Sequence, residues 1–131
     1  MIKSSTEPNS PASLVLYGIP NCDTVKRARS WLAEQGVSVT FHDFKKQGVP
    51  ADALAQWLGP LGWERLLNRQ GSTWRKLSPE QQAAVRDETS AGALMREHPS
   101  VIRRPVVQWA PGEFTVGFDE AVWRGQLERA R

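Results

Sequence analysis

From Ser13 the chain reads SLVLYG, a short apolar, β-prone stretch closed by Gly18, and this pattern predicts a buried strand. The period then changes. Val25, Ala28, Arg29, Leu32 and Ala33 recur near helical spacing, Asp23 and Thr24 suit a helix N-terminus and Gly36 suits its C-terminal cap, so a helix is predicted over roughly residues 22 to 35. In VSVTFHDF, residues 37 to 44, Val37, Val39 and Phe41 alternate with polar positions, which predicts a second strand. A strand, a crossover helix and a second strand form a β-α-β unit, in which the strands run parallel and the crossover is right-handed.

From Pro50 strand signals stop and helix formers dominate, with Ser78, Pro79 and Glu80 marking one helix start. Strand character returns in RRPVVQWA, residues 103 to 110. PGE then signals a turn, FTVGF a short returning strand, and Asp119 can cap a last helix through EAVWRGQLERAR. The expected fold class is therefore α/β in the wide, α+β sense: a β-α-β half and a β-β-α half. A helical insertion over about residues 50 to 99 separates them. Residues 13 to 131 read as a single domain, and residues 1 to 12 as a disordered polar tail.

Composition narrows the function classes. With 131 residues, 40% of them hydrophobic and 24% charged, the chain can bury a core without staples. The net charge of +3 is small and the basic residues are dispersed among acids, so direct nucleic-acid binding is not indicated. No apolar run approaches a membrane span, and the N-terminus has no signal-peptide core. One cysteine cannot form an internal disulfide, so a cytoplasmic location is expected. His42 and His98 lie in separate segments without ligand spacing, and no metal site is expected. Asp43 beside His42 reads as strand-end hydrogen bonding and not as a catalytic dyad.

The single cysteine, Cys22, falls in YGIPNCDT, between the first strand and the first helix. A free cysteine is often a small buried hydrophobe. Here Asn21, Asp23 and Thr24 flank it with polar loop chemistry instead of a core stripe. The reactive form of a thiol is the thiolate, which needs a nearby cation or the positive end of a helix. The first-turn N–H groups would supply the helix end, and Lys26 and Arg29 would add positive potential.

Five stretches in order, LVLYGIPNCDTVKRARSWLAEQGV, FHDFKKQGV, LLNRQGSTWRKL, IRRPVV and VGF, resemble the ArsC/Spx family of thioredoxin-fold proteins, in its YffB-type (arsenate reductase-like) branch. The similarity runs from Leu14 to the last helix. It implies a thioredoxin-like core with a helical insertion, and it places Cys22 on the family's reactive cysteine. Arg104 matches an arginine that helps bind the oxyanion in arsenate reductases, and Pro105 matches a cis-proline that borders the thiol. On the residues alone, Arg104 could be a solvated arginine and Pro105 an ordinary trans proline opening a strand. Val25 stands where a second thiol would complete a Cys-x-x-Cys pair. Arg69, in NRQGSTWRK, could line the cleft for an anionic tripeptide, or the loop could simply pack Trp74 on the helical block. Asn68 occupies an arginine position of the arsenate reductases and EFTVGF carries no arginine, which weakens the case for arsenate.

The function expected is that of a glutathione-dependent thiol-disulfide oxidoreductase with Cys22 as its nucleophile. Asn21, Asp23 and Thr24 would shape the helix start and offer hydrogen bonds near the sulfur, Arg104 and Pro105 would form the opposite wall, and Arg69 is a further candidate for binding glutathione. No cofactor is expected to stay bound, glutathione serves as co-substrate, and glutathione or a thiol-containing substrate is the partner of a monomer. The alternatives are an Spx-like protein-binding or transcription-regulatory module, and arsenate reduction itself.

Overall fold

Four strands make one sheet in the computed structural model, which describes residues 14–130. The tail expected over residues 1 to 12 lies outside the described residues. The strands are β1 (Leu14–Gly18), β2 (Val39–Asp43), β3 (Val106–Ala110) and β4 (Glu113–Val116). Across the sheet they stand in the order β2-β1-β3-β4. β1 and β2 are parallel, with Leu14 opposite Val39 and Gly18 opposite Asp43, while β3 is antiparallel to both β1 and β4. This is the mixed α+β sheet that the β-α-β and β-β-α halves predict.

α1 (Asp23–Glu34) makes the crossover. It ends in a Schellman motif: Gly36, at a φ of +72°, donates its N–H to Ala33, and Val37 donates to Leu32. Strand alternation divides the core between two layers. Leu14, Leu16, Val107 and Trp109 join Val25, Ala28 and Leu32 of α1 and Trp123 and Leu127 of α8 (Glu120–Ala130) in one cluster. Tyr17 and Val106 point to the opposite face, where they meet Leu54, Trp57, Met95 and Ile102. Each such side chain contributes about 1.5–3 kcal/mol through burial.

The second strand is shorter than its apolar pattern suggests. Phe44 leaves it to begin a single turn, α2 (Phe44–Gln47), because Asp43 acts as an N-cap: its Oδ1 accepts from the Lys45 N–H at 2.8 Å and its own N–H donates to Gln47 at 3.1 Å. Asp43 thus does the strand-end work expected of it, and His42 bonds the Gly48 carbonyl at 2.8 Å.

The insertion comprises α3 (Ala51–Leu61), α4 (Trp63–Leu66), α5 (Ser72–Lys76), α6 (Pro79–Ala83), α7 (Glu88–Glu97) and a 3-10 turn at Pro99–Val101. Gly62, at a φ of +84°, separates α3 from α4 within one apolar pattern. Ser78 and Gln81 form a capping box at α6, and Asp87 with Ser90 forms another at α7. Asp119 caps α8, accepting the Val122 N–H at 3.2 Å. Among the described residues no helix is long and apolar enough to cross a membrane.

Candidate active site

β1 delivers the chain to the site and α1 carries it away. Their junction depends on Gly18: a Cβ there would lie 2.9 Å from Val25 Cγ2, so only glycine lets the first turn of α1 close onto the strand end. Ile19 is buried, while Pro20 and Asn21 are exposed. Cys22 then stands as the N-cap of α1 in extended conformation, and its carbonyl accepts the Lys26 N–H at 2.9 Å. The sulfur is half-buried, among the groups packed on the α1 and α8 cluster.

Burial by itself would push the thiol pKa up. It is outweighed by the Val25 N–H, by the Arg104 guanidinium through both a hydrogen bond and its charge, and by the Thr24 N–H, so the thiol is held below its ordinary value. These are a helix N-terminus and a neighbouring cation, the two features that stabilise a thiolate.

Arg104 reaches the sulfur from the other half of the fold. Segment 101–103 pairs antiparallel with segment 66–68 of the insertion: Asn68 donates to the Val101 carbonyl at 2.8 Å, Arg103 donates to that of Leu66 at 2.7 Å, and Leu67 faces Ile102. On this base the Arg104 Nη1 donates to the Ser100 carbonyl at 2.8 Å and to that of Ile102 at 3.1 Å, while its Nε is buried without a partner. A guanidinium with one corner tied to two backbone carbonyls is fixed in place before any substrate arrives. The Arg104–Pro105 peptide is cis, as the resemblance implies. The Pro105 carbonyl accepts the Gly117 N–H at 2.9 Å, which brings the loop between β4 and α8 to the same place.

The remaining expected residues divide. Thr24 serves through its backbone N–H, whereas Asn21 and Asp23 are exposed and supply none of the hydrogen bonds that lower the thiol. The expected cationic help from Lys26 and Arg29 is likewise absent from the causes of that shift, and the Arg29 guanidinium lies over the Phe41 ring at 4.2 Å. Arg103 is exposed and donates its Nε to the Arg65 carbonyl at 3.1 Å. The Arg69 guanidinium lies 5.5 Å from the Trp63 ring centre and 5.9 Å from that of Trp74, and it is not among the causes of the thiol shift.

The Val25 N–H and the Gly117 loop were not picked out from the sequence. A backbone donor has no side-chain signature, and the one available signal for the loop was the glycine of VGF, which sits at a φ of +86°. Among the described residues no group of three or more His, Cys, Asp or Glu could hold a metal ion. A hollow of about 230 Å³ between α3 and α7 shares no residue with the thiol site.

A parallel β-α-β and an antiparallel β-β-α, with a cysteine at the head of the first helix and a cis-proline just before the third strand, define a thioredoxin-like fold. The chain belongs to the ArsC family, whose sequence profile matches residues 17–125. It is 37% identical over 107 residues to an uncharacterized protein of Haemophilus influenzae, covering 82% of this chain and 92% of that one. It is 27% identical over 121 residues to the global transcriptional regulator Spx of Streptococcus agalactiae, covering 88% and 84%. Among solved structures it superposes on the protein YffB (PA3664) with a TM-score of 0.83 at 43% identity, covering 88% of this chain and 99% of that one. An arsenate reductase (ArsC) related protein from Brucella melitensis gives a TM-score of 0.68 at 45% identity, covering 86% and 92%.

Proposed function

We propose that this protein is a thiol-disulfide oxidoreductase in which Cys22 is the nucleophile and glutathione the reducing co-substrate. The observation that carries this reading is the environment of one sulfur. Helix N–H groups and a tethered guanidinium together outweigh burial and lower the thiol pKa. A purely structural cysteine needs neither.

With a glutathione mixed disulfide R–S–SG as substrate, the Cys22 thiolate attacks the glutathione sulfur. The new Cys22–SG bond forms as the S–S bond breaks, and RS⁻ leaves and takes a proton. A second glutathione, as thiolate, attacks the Cys22–SG disulfide, restores the Cys22 thiolate and departs as GSSG. The net reaction is R–S–SG + GSH → RSH + GSSG: one free glutathione thiol is oxidised as the substrate sulfur is reduced, and the other half of GSSG comes from the substrate. The second glutathione is required because Val25 stands where an internal resolving thiol would be, and Cys22 is the only cysteine.

Arsenate reduction is the weaker reading. Arg69 is occupied between two tryptophan rings, and Asn68 spends its side-chain oxygen on the Gln70 N–H at 3.0 Å.

The test is the rate of Cys22 alkylation against pH, with and without glutathione, with Cys22→Ser as the blank. A thiol that titrates below the ordinary range and is protected by glutathione or its disulfide supports the proposal. An ordinary or raised pKa without protection would sink it, and attention would pass to a protein-binding role of the Spx kind.

A further inference from the structure

The strand directions bring four stretches of chain to one end of the sheet. β1 ends with Gly18 opposite Asp43 of β2, β3 begins with Val106 opposite Tyr17, and β4 ends with Val116 opposite Val106. The Cys22 loop, α2, the Arg104 segment and the Gly117 loop therefore share this rim. α5 joins them: α2 and α5 both pack on the Pro99–Val101 turn, whose Ser100 carbonyl accepts from the Arg104 guanidinium.

Along the sequence the basic residues are dispersed among acids, but the fold gathers them. Residues 19–26, 44–48, 68–76, 99–105 and 117–119 make up the rim and hold eight of the 17 Lys and Arg against two of the 14 Asp and Glu. The remainder of the chain is net acidic. Arg104 acts on the thiol and Arg69 lies by two tryptophan rings, whereas Lys45 and Lys46 of α2 and Arg75 and Lys76 of α5 have no such role. All four are exposed, neither helix carries an acid, and none of the four makes an ion pair among the described residues. None is a cause of the thiol shift. Asp43, next to α2, is buried as the cap of that turn. Gathered like charges repel one another and draw an oppositely charged partner from solution.

We infer that the disulfide substrate of Cys22 is carried by a protein whose glutathionylated cysteine lies on an acidic face, and that this face docks against Lys45, Lys46, Arg75 and Lys76. The inference rests on the oxidoreductase reading above and names its substrate class. The chemistry is the one already written, with R the partner chain: the Cys22–SG bond forms, the partner leaves as its thiol, and a second glutathione restores Cys22. The surroundings of the sulfur suit a macromolecule, since Pro20, Asn21 and Asp23 are exposed around a half-buried Cys22 and a folded surface can close on the loop. The glutathionyl group is common to all such substrates, so charges beyond the thiol are what tell one protein from another, chiefly through the rate of encounter.

The experiment uses the full chain and two short peptides, each with one glutathionylated cysteine, flanked by glutamates in one and by lysines in the other. Formation of Cys22–SG is followed by mass spectrometry in a single turnover. Each rate is divided by that of the same peptide with dithiothreitol, which carries neither carboxylate nor ammonium, to remove the intrinsic reactivity of the disulfide. The acidic-to-basic ratio is read in the wild type, in K45E/K46E, in R75E/K76E and in R65E/R129E. Arg65 and Arg129 line a hollow with Gly112, at the other end of β4 from Gly117, and serve as the control. Because the ratio is taken within each protein, a general loss of activity cancels.

The wild type should favour the acidic peptide about tenfold or more at low salt. The ratio should approach one as salt rises from about 0.01 M to about 1 M and the Debye length falls from about 30 Å to about 3 Å. K45E/K46E and R75E/K76E should each lose most of the preference, and R65E/R129E should keep it. A wild-type ratio near one at low salt, a preference that either rim variant keeps in full, or one that R65E/R129E loses as fully as they do would overturn the docking surface alone. So would reaction confined to the small mixed disulfide of glutathione and 2-mercaptoethanol. A single-stranded oligonucleotide that blocks the acidic peptide at concentrations far below the peptide's own would overturn it in favour of nucleic acid. A wild-type thiol that takes glutathione from neither peptide nor the small disulfide would overturn the oxidoreductase reading as well.

Discussion

Arg104 and Cys22 come from opposite halves of the chain, and the guanidinium of the first helps hold the thiol pKa of the second below its ordinary value. The link depends on the insertion, because the segment that holds Arg104 is paired to residues 66–68 before it enters β3. Neither half of the fold makes this site alone.

Arg104→Ala should therefore raise the thiol pKa and slow Cys22 alkylation at neutral pH. A hydrogen bond to a charged group contributes about 1.5–3 kcal/mol, so the loss should be roughly ten- to a hundredfold. Arg104→Lys should recover only part of it, because an ammonium cannot hold two carbonyls and the sulfur in one plane. An unchanged alkylation profile in Arg104→Ala would show that the helix N–H groups suffice.

The lowered thiol also sets a pH dependence of stability. A group that loses a proton to become an anion, and whose folded pKa lies below its unfolded pKa, stabilises the fold above the unfolded pKa. That stability is lost as pH falls through the folded pKa. Relative to Cys22→Ser, the wild type should gain stability as pH rises from neutral towards the unfolded thiol pKa, then level off. Denaturant titrations of both proteins across that window check the sign.

Gly18 makes a structural prediction close to the site. Gly18→Ala puts a methyl against Val25, a stiff β-branched side chain with little room to rotate away. Overpacking of this kind costs about 1–3 kcal/mol, and it should also displace the first turn of α1 and reduce thiol reactivity. Adding Val25→Ala should relieve much of the strain. A double-mutant cycle with no coupling would show that the contact is not the cause.

On the opposite layer, Trp57 is fully buried and meets the Tyr17 ring at 4.7 Å, edge to face. Trp57→Ala should cost about 3–5 kcal/mol in denaturant unfolding. Because Trp57 lies across the sheet from the α1 cluster, the thiol pKa of the folded fraction should move little. A large shift would show that the insertion face couples to α1 through β1.

How much of this was written in the sequence depends on the range of the interaction. The elements followed from local rules: a short apolar run closed by glycine gave β1, alternation gave β2, helical spacing with a C-cap glycine gave α1, and Ser78 and Asp119 cap the helices they were read to cap. Cys22 could be placed at the head of α1 for the same reason. What failed locally also failed for a local reason, as when Asp43 turned Phe44 out of its strand. The partners of the sulfur were not legible from pattern alone. The Val25 and Thr24 donors belong to the backbone, which carries no residue signature. Arg104 is 82 positions from Cys22 by number, and only the resemblance pointed to it. Arg29, Arg69 and Arg104 are alike as letters. Tertiary packing decided that the first lies on Phe41, the second between Trp63 and Trp74, and the third on the sulfur, because a guanidinium goes to the ring, carbonyl or anion that the fold places within its reach.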